Sequence, residues 1–389
     1  MEKEQEAPNW LTLAQMGFIA SAGFSMILIL PVALGGMVDL LGFSNKTIGW
    51  IAAANALGIA LGALYVPLSG ARFRLMPSIR LSLLGLIVVD FSCAFLESSA
   101  SLMIFRLLSG MLGGVLYAGI LRVLAGLPKQ ERGFGIYVIT YCSWSAILFF
   151  LSPYLLEWGG VKALFYMITG SGIIAYLLSP VLRPFHTKTI TVEADTLSYL
   201  LKQRPVLTSL ISYLLLMAAS GAFYAYVERI GNANGLSASF IGMALSNSNF
   251  AGILAGVLVY RLGNKFGLTL PIMGGISLLA VCFLIINWVP TKLIYLLSVF
   301  GVSGCWGFLI AYFQKVQSVV DLDGKIVALG ATINLGGRAI GPALVSFFIV
   351  GSNFNAVIIF SLSSLLLCVI LLLPALLKID QQQLALGRT

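Results

Sequence analysis

Charge is what this chain has least of. Charged residues make up 10% of its 389 positions, against ~25% in ordinary soluble domains. Too few charges are present to cover a water-facing surface, and the mean hydropathy of +0.99 agrees. A soluble enzyme with a small anchor, a disordered chain and a disulfide scaffold are all excluded. The net charge of +9 would suit a nucleic-acid partner, but its distribution follows topology instead, and no nucleic acid is expected. Histidine occurs once and cysteine five times. Cys93, Cys142, Cys282, Cys305 and Cys368 all lie inside apolar runs, with no C-x-x-C spacing, so they read as buried thiols. No metal site and no cofactor are expected. No G-x-x-x-x-G-K-[ST] phosphate loop occurs, which excludes ATP-driven pumping. Clustered His, Asp, Glu or Cys near an interface are also missing, so no membrane-embedded enzyme is expected.

What is present is a series of apolar runs, at about 11–36, 47–70, 81–97, 101–124, 134–156, 161–182, 206–228, 240–260, 268–289, 293–314, 326–350 and 356–377. A helix across a bilayer needs ~20 residues. The expectation is an all-α, multi-pass membrane protein with twelve transmembrane helices. No basic n-region precedes the first run, so no cleaved signal is expected. The excess of basic residues sorts by side. With both termini inside, inner segments carry seventeen Lys and Arg, and outer segments carry four, Lys46, Lys162, Arg229 and Lys292. That bias places both termini in the cytoplasm and the protein in the cytoplasmic membrane. Its basic loops then face anionic lipid headgroups, which makes membrane lipid a partner.

The longest polar connection is 183–205, bracketed by Pro184 and Pro205, and its SYLLKQR stretch has the make-up of a short interfacial helix. It divides residues 1–182 from 206–389. A shift of 193 residues lays the second run on the eighth without a gap. Gly42, Ser44, Ile48, Gly49, Leu61, Val66, Gly70 and Phe73 fall on Gly235, Ser237, Ile241, Gly242, Leu254, Val259, Gly263 and Phe266. The expected architecture is two pseudo-symmetric six-helix bundles in parallel repeat, 1–182 and 206–389, joined by a cytoplasmic linker. In such a repeat the site lies near the midplane.

Three local motifs accompany the repeat. After span two stands Gly70-Ala71-Arg72-Phe73-Arg74, repeated as Gly263-Asn264-Lys265-Phe266-Gly267. Span four opens with Arg106, Ser109, Gly110, Gly113 and Gly114. Span eleven carries Gly337-Arg338-Ala339-Ile340-Gly341-Pro342. On these the chain resembles the major facilitator superfamily along its whole length. The first motif resembles the family's G-x-x-x-D-R-x-G-R loop, with Ala71 and Asn264 at the acidic position. The second resembles its R-x-x-x-G motif. The third resembles the G-x-x-x-G-P motif of proton-coupled drug antiporters, which carry it in span five. Span five here, Ser145 to Pro153, has no such glycine pair.

The resemblance implies a secondary transporter that moves a small organic solute by alternating access, coupled to protons, and expected to be a monomer. Efflux of drugs or other hydrophobic compounds by proton antiport is the alternative. A receptor would need a larger soluble region than the linker supplies. Gly70, Arg72, Gly263 and Lys265 fall in the latch loops; Gly337, Gly341 and Pro342 fall in a gating or packing motif.

The polar residues inside the runs are the candidate site. Arg338 sits midway along span eleven, with Asn334 one turn before it on the same side. It coordinates an anion, or it is satisfied by backbone carbonyls around Gly337 and Gly341. Arg106 and Asp90 lie at matching depths on either side of the turn near Ser98-Ser99, about 10–13 Å from it at ~1.5 Å per residue. They are expected to pair, and Asp90 is the one acid clearly inside a run. Exchange of a proton on this pair is the functional alternative. Two arginines, one per half, lean toward an anionic or amphipathic solute. Tyr117, Tyr141, Trp144, Tyr224 and Trp306 are candidate aromatic cavity walls, and Asn247 a polar one. Glu228-Arg229 are expected as an interfacial ion pair closing span seven.

Overall fold

The computed structural model describes residues 8–69, 73–127, 130–185, 203–263, 265–288, 291–320, 325–349 and 353–385. Helix dominates them, joined by short turns. Nine of the described helices are long and apolar enough to cross a membrane. The first expected span is not one rod but three pieces, α1 (Trp10–Ala22), α2 (Ser25–Leu28) and α3 (Leu30–Leu41). The reasons are local. Gly23 lies against α6, where an added Cβ would sit 2.8 Å from the carbonyl of Gly113. Pro31, at the second position of α3, has no N–H to continue the helix behind it.

The chain continues through α4 (Asn45–Leu68), α5 (Leu75–Cys93), α6 (Ser99–Ala125) and α7 (Gln130–Leu178). α7 holds the fifth and sixth expected spans, because non-helical backbone at Gly159 and Gly160 interrupts it. Gly160 takes φ +64°, a conformation that glycine adopts without steric cost. After a 3-10 turn at Ser179–Leu182 come α8 (Arg204–Ala233), α9 (Ala238–Leu262), α10 (Thr269–Trp288), α11 (Lys292–Val320), α12 (Lys325–Ser346) and α13 (Asn355–Ala385). The SYLLKQR segment lies outside the described residues.

Two compact units result. One comprises the residues up to Ile29 with those from Ala54 to the linker; the other comprises Leu30–Ala53 with the helices from α8 onward. α3 and the first turns of α4 therefore pack with the C-terminal helices. In the first unit, α1 lies against α6 and α7, and α5 lies against both of these. In the second, α8 is the central helix, in contact with α3, α11, α12 and α13.

The 193-residue repeat has a structural counterpart in its turns. Gly42 (φ +70°) ends α3 and Gly235 (φ +76°) ends α8. The next residues, Phe43 and Leu236, send their amides back to Met37 and Gly231. Two residues beyond each glycine a serine caps the following helix. Ser44 accepts from the Thr47 amide and Ser237 from the Phe240 amide. Glycine ends a helix and serine starts one for general reasons.

Small residues let backbones touch. In the first unit, Gly58 and Gly62 of α4 face Gly110 and Gly114 of α6. A Cβ on Gly114 would lie 2.7 Å from the amide of Ala63 and closer still to the Ile59 carbonyl. In the second unit, Gly337 and Gly341 of α12 do the same on α8. A Cβ there would lie 2.8 Å from the Leu214 carbonyl and 2.9 Å from the Ala222 amide, respectively. This is the small-xxx-small mode of packing, in which dispersion rather than water release drives association. By contrast, a Cβ on Gly135 in α7 meets nothing within 4 Å. Gly114→Ala is therefore expected to lower stability by about 1–3 kcal/mol through overpacking, and Gly135→Ala to be neutral or stabilising through helix propensity. Thermal unfolding of both variants in detergent checks this; equal effects would remove the close-contact account.

Candidate functional site

Arg338 is brought by α12 to a wall of aromatic residues. Its guanidinium carbon lies 4.9 Å from the centre of the Trp306 ring on α11 and 5.7 Å from that of Tyr224 on α8. The position is fixed by the α8–α12 contact, because Gly221 sits directly under the Arg338 backbone, where a Cβ would be 2.7 Å from its Cα. Among the described residues no carboxylate pairs with Arg338 and no carbonyl accepts from it. The carbonyls near Gly337 and Gly341 do not satisfy it; those glycines are packing surface, and Pro342 is buried beside them. One turn before Arg338, Asn334 donates from Nδ2 to the hydroxyl of Tyr213 at 2.8 Å. Tyr213 is stacked on Phe313, with centroids 5.2 Å apart. Trp306 Nε1 is buried with no acceptor among the described residues.

The first unit contains the expected Asp90–Arg106 pair. Arg106 Nη2 donates to Asp90 Oδ1, and both residues are almost wholly withdrawn from solvent. Ser109 donates to the same carboxylate oxygen at 2.7 Å, and Arg106 Nη2 also reaches Cys93 Sγ at 3.0 Å. The Phe165 ring covers the guanidinium at 5.2 Å. Matched depth identified the pair; Ser109, Cys93 and Phe165 complete it by tertiary contact.

A second group in this unit surrounds the break in the first span. Trp144 donates from Nε1 to Ser25 Oγ at 3.2 Å, Ser25 bonds Ser171 at 3.1 Å, and Phe18 packs edge-on against the indole. Tyr117 lies on Phe24, 4.5 Å between centroids, and continues through Tyr137 to Tyr141. Tyr117 and Tyr141 thus belong to one aromatic series with Tyr137, and Trp144 to a second group with Phe18 and Ser25; Tyr137 and Ser25 are their unforeseen members.

One expectation is corrected. Asp90 is not the one internal acid, since Glu228 is also buried within the protein; the expected Glu228–Arg229 ion pair is present and has a third member. Arg229 makes two bonds to Asp39 of α3, at 2.7 and 2.6 Å, and two to Glu228, at 2.7 and 3.0 Å. Gly35 leaves the space that Glu228 occupies. The sequence signal at Asp39 is the repeat: the 193-residue shift maps it onto Asn232, which is itself 3.5 Å from it.

Asn247 is exposed on α9 and joins none of these groups. Of the latch loops, Gly70 and Arg72 lie outside the described residues. In the second loop Gly263 has φ +51°, and Lys265 is exposed. Just beyond this loop, Asp380 of α13 accepts from the amides of Leu268 and Thr269 at 2.8 and 2.9 Å. No group of three or more metal-ligating side chains occurs among the described residues.

The sequence model of the Major Facilitator Superfamily matches residues 13–342. The chain belongs to the major facilitator superfamily. It is 21% identical over 349 residues to an uncharacterized MFS-type transporter, YceJ, of Bacillus subtilis (strain 168), covering 87% of this chain and 88% of that one. Among solved structures it is similar to the nucleoside transporter NupG (15% identity, TM-score 0.75, 93% and 98% of the two chains). It is similar also to a D-xylose-proton symporter (14%, TM-score 0.72, 93% and 96%). These likenesses establish the fold. As a superfamily member the protein is an integral, multi-pass membrane transporter and not an enzyme.

Removing one member of a buried ion pair strands the other. Asp90→Ala is expected to cost about 3–5 kcal/mol. Asp90→Asn combined with Arg106→Gln should be milder than the sum of the two single changes by about 0.5–3 kcal/mol. A double-mutant cycle on thermal unfolding checks this, and strict additivity would dissolve the pair.

Proposed function

We propose that this transporter moves a small anionic or amphipathic organic solute by alternating access, and that Arg338 is the group that binds its anionic end. The observation that carries the reading is the Arg338 guanidinium held between Trp306 and Tyr224 without a hydrogen-bonding protein anion among the described residues. An intramembrane arginine that the protein does not neutralise needs water or a ligand. Its planar fork of five donors matches a carboxylate or phosphate in two bonds at once. The aromatic faces beside it offer an apolar or planar body a place to stack. Asn334 and Tyr213 add polar contacts one turn away.

Proton coupling is part of the proposal. A D-xylose-proton symporter is among the similar structures, and the second unit offers a suited carboxylate. Asp39 and Glu228 share the single guanidinium of Arg229, so the trio carries one net negative charge when both acids are ionised. A proton on Glu228, the buried member, removes that imbalance while Asp39, half-exposed, keeps its bidentate bond. Orientation is proposed from the charge bias: both termini and the 183–205 linker on the cytoplasmic side of the cytoplasmic membrane.

Arg338→Lys is expected to keep the fold and lose most binding and transport, because a point charge lacks the fork. Arg338→Ala should lose binding outright. A thermal-shift screen of anionic metabolites on purified protein finds the ligand, since binding to the folded state raises apparent stability. Ligand affinity and thermal stability are then measured on the same variants. Unchanged affinity in Arg338→Ala would overturn the role. For orientation, a single cysteine at Lys188 in a cysteine-free background should resist an impermeant thiol reagent on intact cells; labelling from outside would invert the topology.

A further inference from the structure

A cavity of about 490 Å³ opens between α9, α10 and α11, and Arg338 is not among its lining residues. Its walls are apolar almost without exception. Leu254 and Leu258 come from α9, Gly274 from α10, and Gly301, Gly304 and Phe308 from α11. It exists because glycines stand where side chains would fill it; a Cβ on Gly274 would meet nothing within 4 Å. Leu254, Leu258 and Leu278 on its rim are about half exposed, so the groove opens outward, toward the lipid chains that surround a membrane-spanning helix.

Its two flanking faces run to the same cationic end. On α9 the face passes from Leu254 through Leu258 to Arg261, three residues or ~4.5 Å further along. On α11 it passes from Phe308 through Tyr312 to Lys315, at i+4 and i+7, so all three share one side. The faces converge on one carbonyl. Gly263 O accepts from Tyr312 at 3.2 Å and from Lys315 Nζ at 3.2 Å. Arg261 and Lys265, on either side of Gly263, are exposed. The nearby acid, Asp380, accepts from the α10 amides and its charge also acts on Lys315, so it offsets one of the three cations and leaves two in excess. An apolar slot with an excess of positive charge at one end fits an amphiphile with an anionic head.

We propose that this groove binds an anionic phospholipid, with one acyl chain between α9, α10 and α11 and the phosphate held by Arg261, Lys265 and Lys315. A basic residue near an anionic headgroup is worth a measurable preference, and a chain seated among glycines gains the dispersion contacts that the missing side chains would have made.

The test is native mass spectrometry of delipidated, purified protein titrated with dioleoylphosphatidylglycerol or, separately, dioleoylphosphatidylcholine. The wild type is expected to retain the anionic lipid in preference to the zwitterionic one. Arg261→Gln with Lys265→Gln should weaken the anionic lipid by about fivefold per charge removed and leave the zwitterionic one unchanged. Gly274→Leu, which fills the groove, should reduce both. Retained preference in the charge variant would overturn the proposal, as would unaltered lipid binding in a monodisperse Gly274→Leu. Because Arg261 and Lys265 are exposed, their variant decides the matter even if Gly274→Leu does not fold. Binding of glycerol phosphate as tight as that of the whole lipid would also overturn it, by showing an anion site that makes no use of the groove.

Discussion

Hydrocarbon supplies no hydrogen bonds. Every polar group carried into it must therefore be satisfied by the protein, by trapped water or by a ligand. Helices meet the demand for the backbone, and several side chains follow the same rule at short range. Ser21, Ser152, Thr169, Ser209, Ser248 and Ser346 each donate to a carbonyl three or four residues earlier in their own helix. With hydroxyls turned inward, helix surfaces are free to meet through glycine. That is how α4 meets α6 and α8 meets α12 at backbone distance.

Three arginines inside the helices show three answers to the same constraint. Arg106 is neutralised by Asp90, with Ser109 bonding the same carboxylate and Phe165 covering the cation. Arg229 is shared by two acids, one buried and one half-exposed. Arg338 has aromatic faces in place of an acid. In the first, the charges within the cluster cancel. In the second, two acids face one guanidinium. In the third, no acid pairs with the cation among the described residues. On the function proposed above, a proton would act on the second group and the solute on the third, both in the second unit, with α8 contributing Glu228, Arg229 and Tyr224.

Much of this was legible in the sequence because membranes impose length and periodicity directly. The twelve apolar runs, the repeat and the Asp90–Arg106 pair all follow from hydrophobic length and depth along a helix. The glycine and serine of the repeat were visible as identities, and their shared turn geometry explains why they match. Illegible were features that depend on which helix faces which. The first run is apolar throughout, so composition did not show that Gly23 and Pro31 divide it. Asp39 sits at the end of that run, where a charge reads as a loop residue, and only the packing of α3 on α8 turns it into a partner for Arg229. Asp380 reaches the amides of Leu268 and Thr269 from more than a hundred residues away, beyond the reach of any local motif. For Arg338, spacing alone could not separate carbonyl bonding from ligand binding. The glycines that suggested the first are used for packing, and the neighbours that favour the second come from two other helices.

The energetics of Arg338 give the difference a direction. A central arginine costs ~2.5–3.5 kcal/mol on insertion scales. A cation–π contact returns ~0.5–1 kcal/mol when exposed and ~2 or more when desolvated. Two partly buried contacts offset much of the charge, but they leave the N–H donors at the guanidinium edge without acceptors, because a ring face satisfies charge and not hydrogen bonds. Those donors lie in the guanidinium plane, where a carboxylate or phosphate makes its two bonds, while the rings take the faces. Aromatic support and anion binding therefore do not compete for the same surface of the cation. A carboxylate would neutralise the cation as Asp90 does Arg106, where it takes Nη2 and leaves Nε and Nη1 without acceptors among the described residues. What separates the two arginines is therefore charge: Arg106 has an acid beside it, and among the described residues Arg338 has none, which is the ground for proposing it as the ligand's partner.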